Sequence, residues 1–259
     1  HELGSGKTCS SIGIAEEMRA YMKQIGLNQH IFIIASPNVQ QNFRLQLFDE
    51  RKLVLENGIW TSNTCIGNSL LKEINPTNLV GIPKDRIISE VNTIINKHYT
   101  FMGYTELANF IKRHTQIPIG SRFSLDEQKK LRIKKIRKYF DNRLIIIDEA
   151  HNLINGVKNM TKNAFETYKK IYESNCRVLL LTGTPIIQYT WEWSIMGNLL
   201  NPKTFMDIMG KNGIAPTRFS VAYKGRGKQD EMYKGIVSYY PGDPTLYPTI
   251  NYREPIKCE

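Results

Sequence analysis

A chain of 259 residues, 41% of them apolar and 23% charged, has the length and balance of a globular protein with one large core or a domain and a half. No apolar run approaches the roughly 18 residues of a membrane-spanning helix, and no signal peptide opens the sequence, so membrane and secreted classes are set aside for a cytoplasmic, reducing setting. The net charge of +11 points to a polyanionic partner or to a lysine-rich coding bias. Four cysteines, Cys9, Cys65, Cys176 and Cys258, stand far apart with no CxxC pair, which reads against a zinc module or a disulfide scaffold.

In chain order the first signal is Gly4-Ser5-Gly6-Lys7-Thr8. Glycines let the backbone turn its N–H groups inward, a lysine reaches phosphate oxygens, and a hydroxyl ligates Mg²⁺. Apolar residues at helical spacing follow (Ile14, Met18, Tyr21, Met22, Ile25), placing this loop at a helix N-terminus, where an anion is favoured. The bland reading is a glycine-rich turn. Such a loop normally follows a buried strand and no residues precede His1 to build one, so the sequence reads as N-terminally truncated.

Ile31 to Ala35 reads as a buried parallel strand, and Ser36-Pro37-Asn38 as a polar turn with Asn38 capping a helix. Lys52–Glu56 and Ile59–Thr61 flank Asn57-Gly58, a two-residue hairpin signal. Residues 52–97 read as an insertion, with a short helix over Ile87–Ile95. His98 to Tyr104 is β-prone and ends in a turn, and Glu106 to His114 is helical. Ser124 to Glu127 is a capping box opening a helix to about Phe140. That helix carries Lys129, Lys130, Arg132, Lys134, Lys135, Arg137 and Lys138, either a phosphate-tracking stripe or a solvated face.

Two further buried strands end in polar residues. Leu144–Ile147 runs into Asp148-Glu149-Ala150-His151, and Val178–Leu181 into Thr182-Gly183-Thr184-Pro185, with a helix over Thr161–Glu173 between them. Another helix is expected from Trp191 to Leu200. From Pro202 to Glu259 glycine, proline, lysine and tyrosine dominate, as in a connector. An aliphatic strand ending in Asp-Glu is the partner a phosphate loop requires: Asp148 holds Mg²⁺ and Glu149 activates the attacking water. Two surface carboxylates after a core strand would be the alternative, were the other signals absent.

In this order, Gly4 to Thr8 resembles motif I of superfamily 2 helicases and translocases, Asp148 to His151 their DEAH-type motif II, and Leu181 to Pro185 their motif III. Ala35 to Asn38 sits where motif Ia falls. Thr184-Pro185-Ile186 followed by Leu199-Leu200-Asn201-Pro202 is similar to the Swi/Snf-type branch. Cys65-Ile66-Gly67-Asn68 and Val237-Ser238-Tyr239-Tyr240 resemble the helicases of large cytoplasmic DNA viruses, among them the poxvirus nucleoside triphosphatase I type.

The resemblance implies an α/β fold, a RecA-like P-loop lobe over residues 1–201, with 202–259 as connector and start of a second lobe. It implies Mg²⁺ and ATP as cofactors, with Gly4, Ser5, Gly6, Lys7 and Thr8 on the phosphates, Thr8 and Asp148 on the metal, and Lys7 and Glu149 in catalysis. His151, Thr182, Gly183 and Thr184 would relay the nucleotide state, and Ser36, Asn38 and Gln41 would touch nucleic acid, with Tyr104 and the basic helix behind them. DNA is expected ahead of RNA, and RNA polymerase or other transcription subunits as partners. Motifs V and VI, with the arginine finger, have no counterpart here, so weak nucleotide binding and poor turnover are expected of this chain alone. The motor of a restriction system and a non-catalytic docking module remain as other readings.

Overall fold

The computed structural model describes residues 6–117, 123–159, 161–184 and 192–200. Gly4, Ser5, Pro185, the viral-type Tyr239-Tyr240 stretch and the expected connector lie outside the described residues.

Four short strands, β1 (Ile31–Ile34), β4 (Tyr99–Met102), β5 (Leu144–Ile147) and β6 (Arg177–Leu180), form one parallel sheet in the order β4-β1-β5-β6. Between β1 and β4 lies an antiparallel hairpin of β2 (Leu53–Glu56) and β3 (Ile59–Ser62). Its turn is the expected Asn57-Gly58, both with positive φ, at 50° and 79°.

The central strands carry no polar residue because both sheet faces are covered. Alternate side chains serve two cores. Ile31, Ile33, Leu144 and Ile146 join Ile12 and Ala15 of α1 (Lys7–Gln24), Phe43 and Leu47 of α2 (Pro37–Leu47), Leu70 and Leu71 of α3 (Ser69–Ile74), and Ile87, Val91 and Ile95 of α4 (Lys84–His98). Phe32, Ile34, Ile145 and Ile147 face the other way. They pack with Leu107 of α5 (Tyr104–Thr115), Ile136 and Phe140 of α6 (Leu125–Phe140), Leu153 of α7 (His151–Lys158), Ile171 of α8 (Lys162–Glu173) and Ile195 of α9 (Glu192–Leu200). This is the α/β lobe expected, a parallel sheet with helices on both faces.

Three local readings change. Ser36, not Asn38, is the N-cap of α2, and Pro37 takes the first helical position, where its missing N–H costs nothing. The helices α3 and α7 carry weak sequence signals, being short and, in α7, interrupted by Gly156. That glycine is required by packing: a Cβ there would lie 2.6 Å from Ala164 Cβ on α8. Finally, Cys9 and Cys65 are disulfide-bonded, with Cα atoms 5.2 Å apart, although 56 positions separate them in sequence. The far spacing that reads against a bridge is closed by the fold, which lays the turn after β3 beside the start of α1.

Candidate nucleotide site

Strands β1, β5 and β6 deliver their carboxyl ends to one edge of the sheet, the side on which open parallel sheets hold ligands. The start of α1 lies at the same edge, near enough for the Lys7 ammonium to act on the Asp148 carboxylate. Gly6 caps α1 in the left-handed conformation, φ 79°, which a side chain would strain. Its carbonyl accepts from the Ser10 N–H at 2.9 Å, and Ser11 Oγ donates to the Thr8 carbonyl at 2.8 Å. The turn bearing Lys7 and Thr8 is therefore wound from its first residue, with the leading N–H groups of the helix left for an anion.

Motif II is held by the backbone on both sides. The Asp148 N–H donates to the Ile34 carbonyl and the Ala150 N–H to the Leu181 carbonyl, each at 2.9 Å. Between them Glu149 adopts φ 47°, a left-handed conformation unusual for a side chain of this length. Tyr104 locks that corner. Its hydroxyl donates toward the carbonyls of Asp148, at 2.6 Å, and Glu149, at 3.1 Å. Burial first, then the two carboxylates, raises this phenol well above its ordinary value, so it stays a donor.

The electrostatics at Asp148 are those of a site short of positive charge. Burial raises its pKa and the neighbouring Glu149 carboxylate raises it further, while a hydrogen bond from the Glu149 backbone, Lys7 and His151 only partly oppose them. A cation between the carboxylates would relieve both causes. This donor set, a hydroxyl at Thr8, a half-buried carboxylate at Asp148 and an ammonium at Lys7, suits a magnesium–phosphate group.

A short relay leads from Glu149 to motif III. His151 Nδ1 lies 3.1 Å from Glu149 Oε2 and 3.0 Å from Thr182 Oγ1, which also accepts the Thr184 N–H at 3.0 Å. In the tautomer with hydrogen on Nδ1, the ring donates toward both Glu149 and Thr182. The imidazole thus bridges the end of β5 to the end of β6.

Ser36, Asn38 and Gln41 are exposed at the start of α2, after β1 and beside β5. They do not touch the carboxylates. The neighbouring Gln40, which no sequence signal marks, fastens this turn by donating from Nε2 to the Ala35 carbonyl at 2.8 Å. Tyr104, expected among residues facing nucleic acid, instead has its hydroxyl committed to motif II. Its place immediately after a strand, beside Gly103, is the signal that could have assigned it to this edge. On α6, Lys129, Lys130, Arg132, Lys134, Arg137 and Lys138 are exposed, while Lys135 Nζ donates to the Gln116 carbonyl.

Residues 1–187 match the family described as type III restriction enzyme, res subunit. A protein of Acanthamoeba polyphaga mimivirus, carrying the provisional name ATP-dependent RNA helicase R563, is 29% identical over 260 residues, 94% of this chain and 37% of that protein. A second mimivirus protein, with the same provisional name and the designation L377, is 25% identical over 94% of this chain and 21% of its own length. The termination factor NPH-I homolog of African swine fever virus is 36% identical over 69 residues, 25% of this chain and 10% of that protein. The chain therefore spans 37% or less of these relatives. With its RecA-like lobe and its paired carboxylates beside Lys7, the chain is a superfamily 2 helicase domain resembling the poxvirus nucleoside triphosphatase I type, and it belongs to the type III restriction enzyme res-subunit family.

Proposed function

We propose that this lobe binds Mg²⁺-ATP at the corner formed by α1, β5 and β6, and is the ATPase half of a nucleic-acid-driven motor in viral-type transcription or DNA handling. The observation that carries this reading is the Asp148–Glu149 pair, two half-buried carboxylates side by side near Lys7 at the sheet edge. Bound Mg²⁺-ATP supplies a γ-phosphoryl group activated for transfer to water. Lys7 and the backbone of Gly4 to Thr8 hold phosphate oxygens, while Thr8 and Asp148 hold the metal. Glu149, kept in place by its left-handed backbone and the Tyr104 hydroxyl, takes a proton from the attacking water. The residues His151, Thr182, Gly183 and Thr184 pass loss of that phosphoryl group to the edge where Ser36, Asn38 and Gln41 meet the nucleic-acid backbone.

The division into a lobe over residues 1–201 and a connector over 202–259 belongs to the same proposal, with a second lobe supplying the arginine finger. DNA remains the first expectation for the track; the mimivirus relatives' names carry RNA. The res-subunit match favours one other setting for the same chemistry, the motor of a restriction system.

ATP hydrolysis measured with duplex DNA, single-stranded DNA or RNA, against Glu149→Gln, tests the proposal. Stimulation by one of these and a fall of about a hundredfold or more in the variant would support it and name the track. Full activity in Glu149→Gln would show that this carboxylate is not the base. A chain that neither hydrolyses ATP nor gains thermal stability from Mg²⁺-ATP would overturn the assignment of the site.

A further inference from the structure

The disulfide between Cys9 and Cys65 has a place in the fold that the nucleotide chemistry does not use. Cys9 sits in the first turn of α1, directly after Thr8 and two residues after Lys7, and is exposed. Cys65 lies in the turn after β3, half-buried, and Gln46 Oε1 on α2 is 3.0 Å from its sulfur and 4.0 Å from that of Cys9. As thiols, both would face one amide oxygen able to accept from them. Cys176 is different: burial pushes its thiol up to about 11, and it is held by Ser174 and the Ile171 carbonyl. Among the described cysteines, thiol chemistry is thus concentrated at the helix turn that bears the phosphate-binding residues.

The two ends of α1 are tied to the 52–97 segment by different means. Toward its C-terminus, Arg19 pairs with Glu16 at 2.7 Å and with Glu73 of α3 at 2.9 Å, and Lys23 pairs with Glu73 at 3.0 Å. Those ties persist in any redox condition. Toward its N-terminus the covalent tie is Cys9–Cys65, and it can be opened.

We propose that Cys9 and Cys65 form a reversible redox site that staples the first turn of α1, and with it Lys7 and Thr8, to the segment 52–97. Oxidation by a low-molecular-weight disulfide balances as thiol exchange. One cysteine thiolate attacks a sulfur of glutathione disulfide and releases one glutathione thiolate; the other cysteine thiolate attacks the protein-side sulfur of the mixed disulfide and releases the second. A glutathione pool reverses both steps, and a proton leaves each cysteine as the bridge forms. Closing a loop of this length removes freedom from opened states of the turn.

The test places the chain in glutathione redox buffers of increasing oxidation, blocks free thiols, and maps the bridge by peptide mass spectrometry under non-reducing conditions. Hydrogen exchange is then read at Ser10 to Ile12, whose amides are the first of the helix to be bonded, in oxidised and reduced protein. The expected result is a 9–65 bridge in the oxidised protein, lost on reduction, with exchange at Ser10 to Ile12 about tenfold faster once it is open. Cys9→Ser and Cys65→Ser should each exchange like the reduced protein in either buffer. Two alkylated thiols in the fully oxidised buffer, or a bridge to Cys258 instead, would overturn the proposal. A 9–65 bridge whose opening leaves the exchange unchanged would overturn its control of the phosphate-binding turn. None of these readouts needs nucleotide, so they stand apart from the ATPase assignment.

Discussion

The two ends of β5 treat buried charge in opposite ways. At its N-terminal end Arg143 is buried with no carboxylate among its described partners, yet each of its three guanidinium nitrogens finds an acceptor. It donates to the carbonyls of His30 and Tyr139 and to Gln29 Oε1, and stacks 3.9 Å from the centre of the Phe32 ring. At the C-terminal end, four residues after Leu144, Asp148 and Glu149 are placed side by side, with Lys7 and His151 offsetting their charge only in part. Compensation at one end holds the fold together. Weaker compensation at the other is what the proposed site rests on, since a binding cation would supply the missing charge.

Breaking the compensated end should have the largest effect. Arg143→Ala removes a donor set that satisfies three acceptors at the junction of β1, α6 and β5, and should cost about 3 kcal/mol or more in urea unfolding. Burial already lowers this guanidinium to about 10, so a neutral replacement of similar length, Arg143→Met, should recover part of that loss by keeping the contact with Phe32.

The uncompensated end should respond less, and partly in the other direction. Tyr104→Phe removes the hydroxyl that fixes the carbonyls of Asp148 and Glu149, and should cost about 1 kcal/mol of stability while lowering turnover through a displaced Glu149. Glu149→Asn places a residue tolerant of the left-handed conformation at φ 47° and should gain about 0.5 kcal/mol, at the expense of hydrolysis. The smallest effect is on pH dependence. Folded Asp148 keeps its proton to higher pH than the unfolded chain does, so in the window above the ordinary value of 3.8 the folded state binds more protons and this group's contribution to stability falls as pH rises. Asp148→Asn should flatten that slope in acid-to-neutral melting curves.

This contrast was only half legible in the sequence. The strands were plain because both faces of a covered parallel sheet must be apolar, and Asp148-Glu149 was plain because polar residues close an aliphatic run. The capping box at Ser124 and the turn at Asn57-Gly58 were equally local signals. What stayed hidden depends on contacts between distant segments. The Tyr104 hydroxyl meets motif II from 44 positions away, Arg143 reaches back 113 positions to His30, and Cys9 finds Cys65 only once the turn after β3 lies against α1. The packing need for Gly156 is hidden in the same way, because the close approach of Ala164 is invisible without α8 in place.

The most direct test of the central claim compares the melting temperature of the chain with that of Asp148→Asn, with and without Mg²⁺-ATP. If the carboxylate pair is a site awaiting a cation, the variant should melt about 1–3 °C higher than the wild type when both are free of metal and nucleotide, and only the wild type should gain further from Mg²⁺-ATP. A variant less stable than the wild type without ligand, or stabilised by Mg²⁺-ATP to the same extent, would contradict the account.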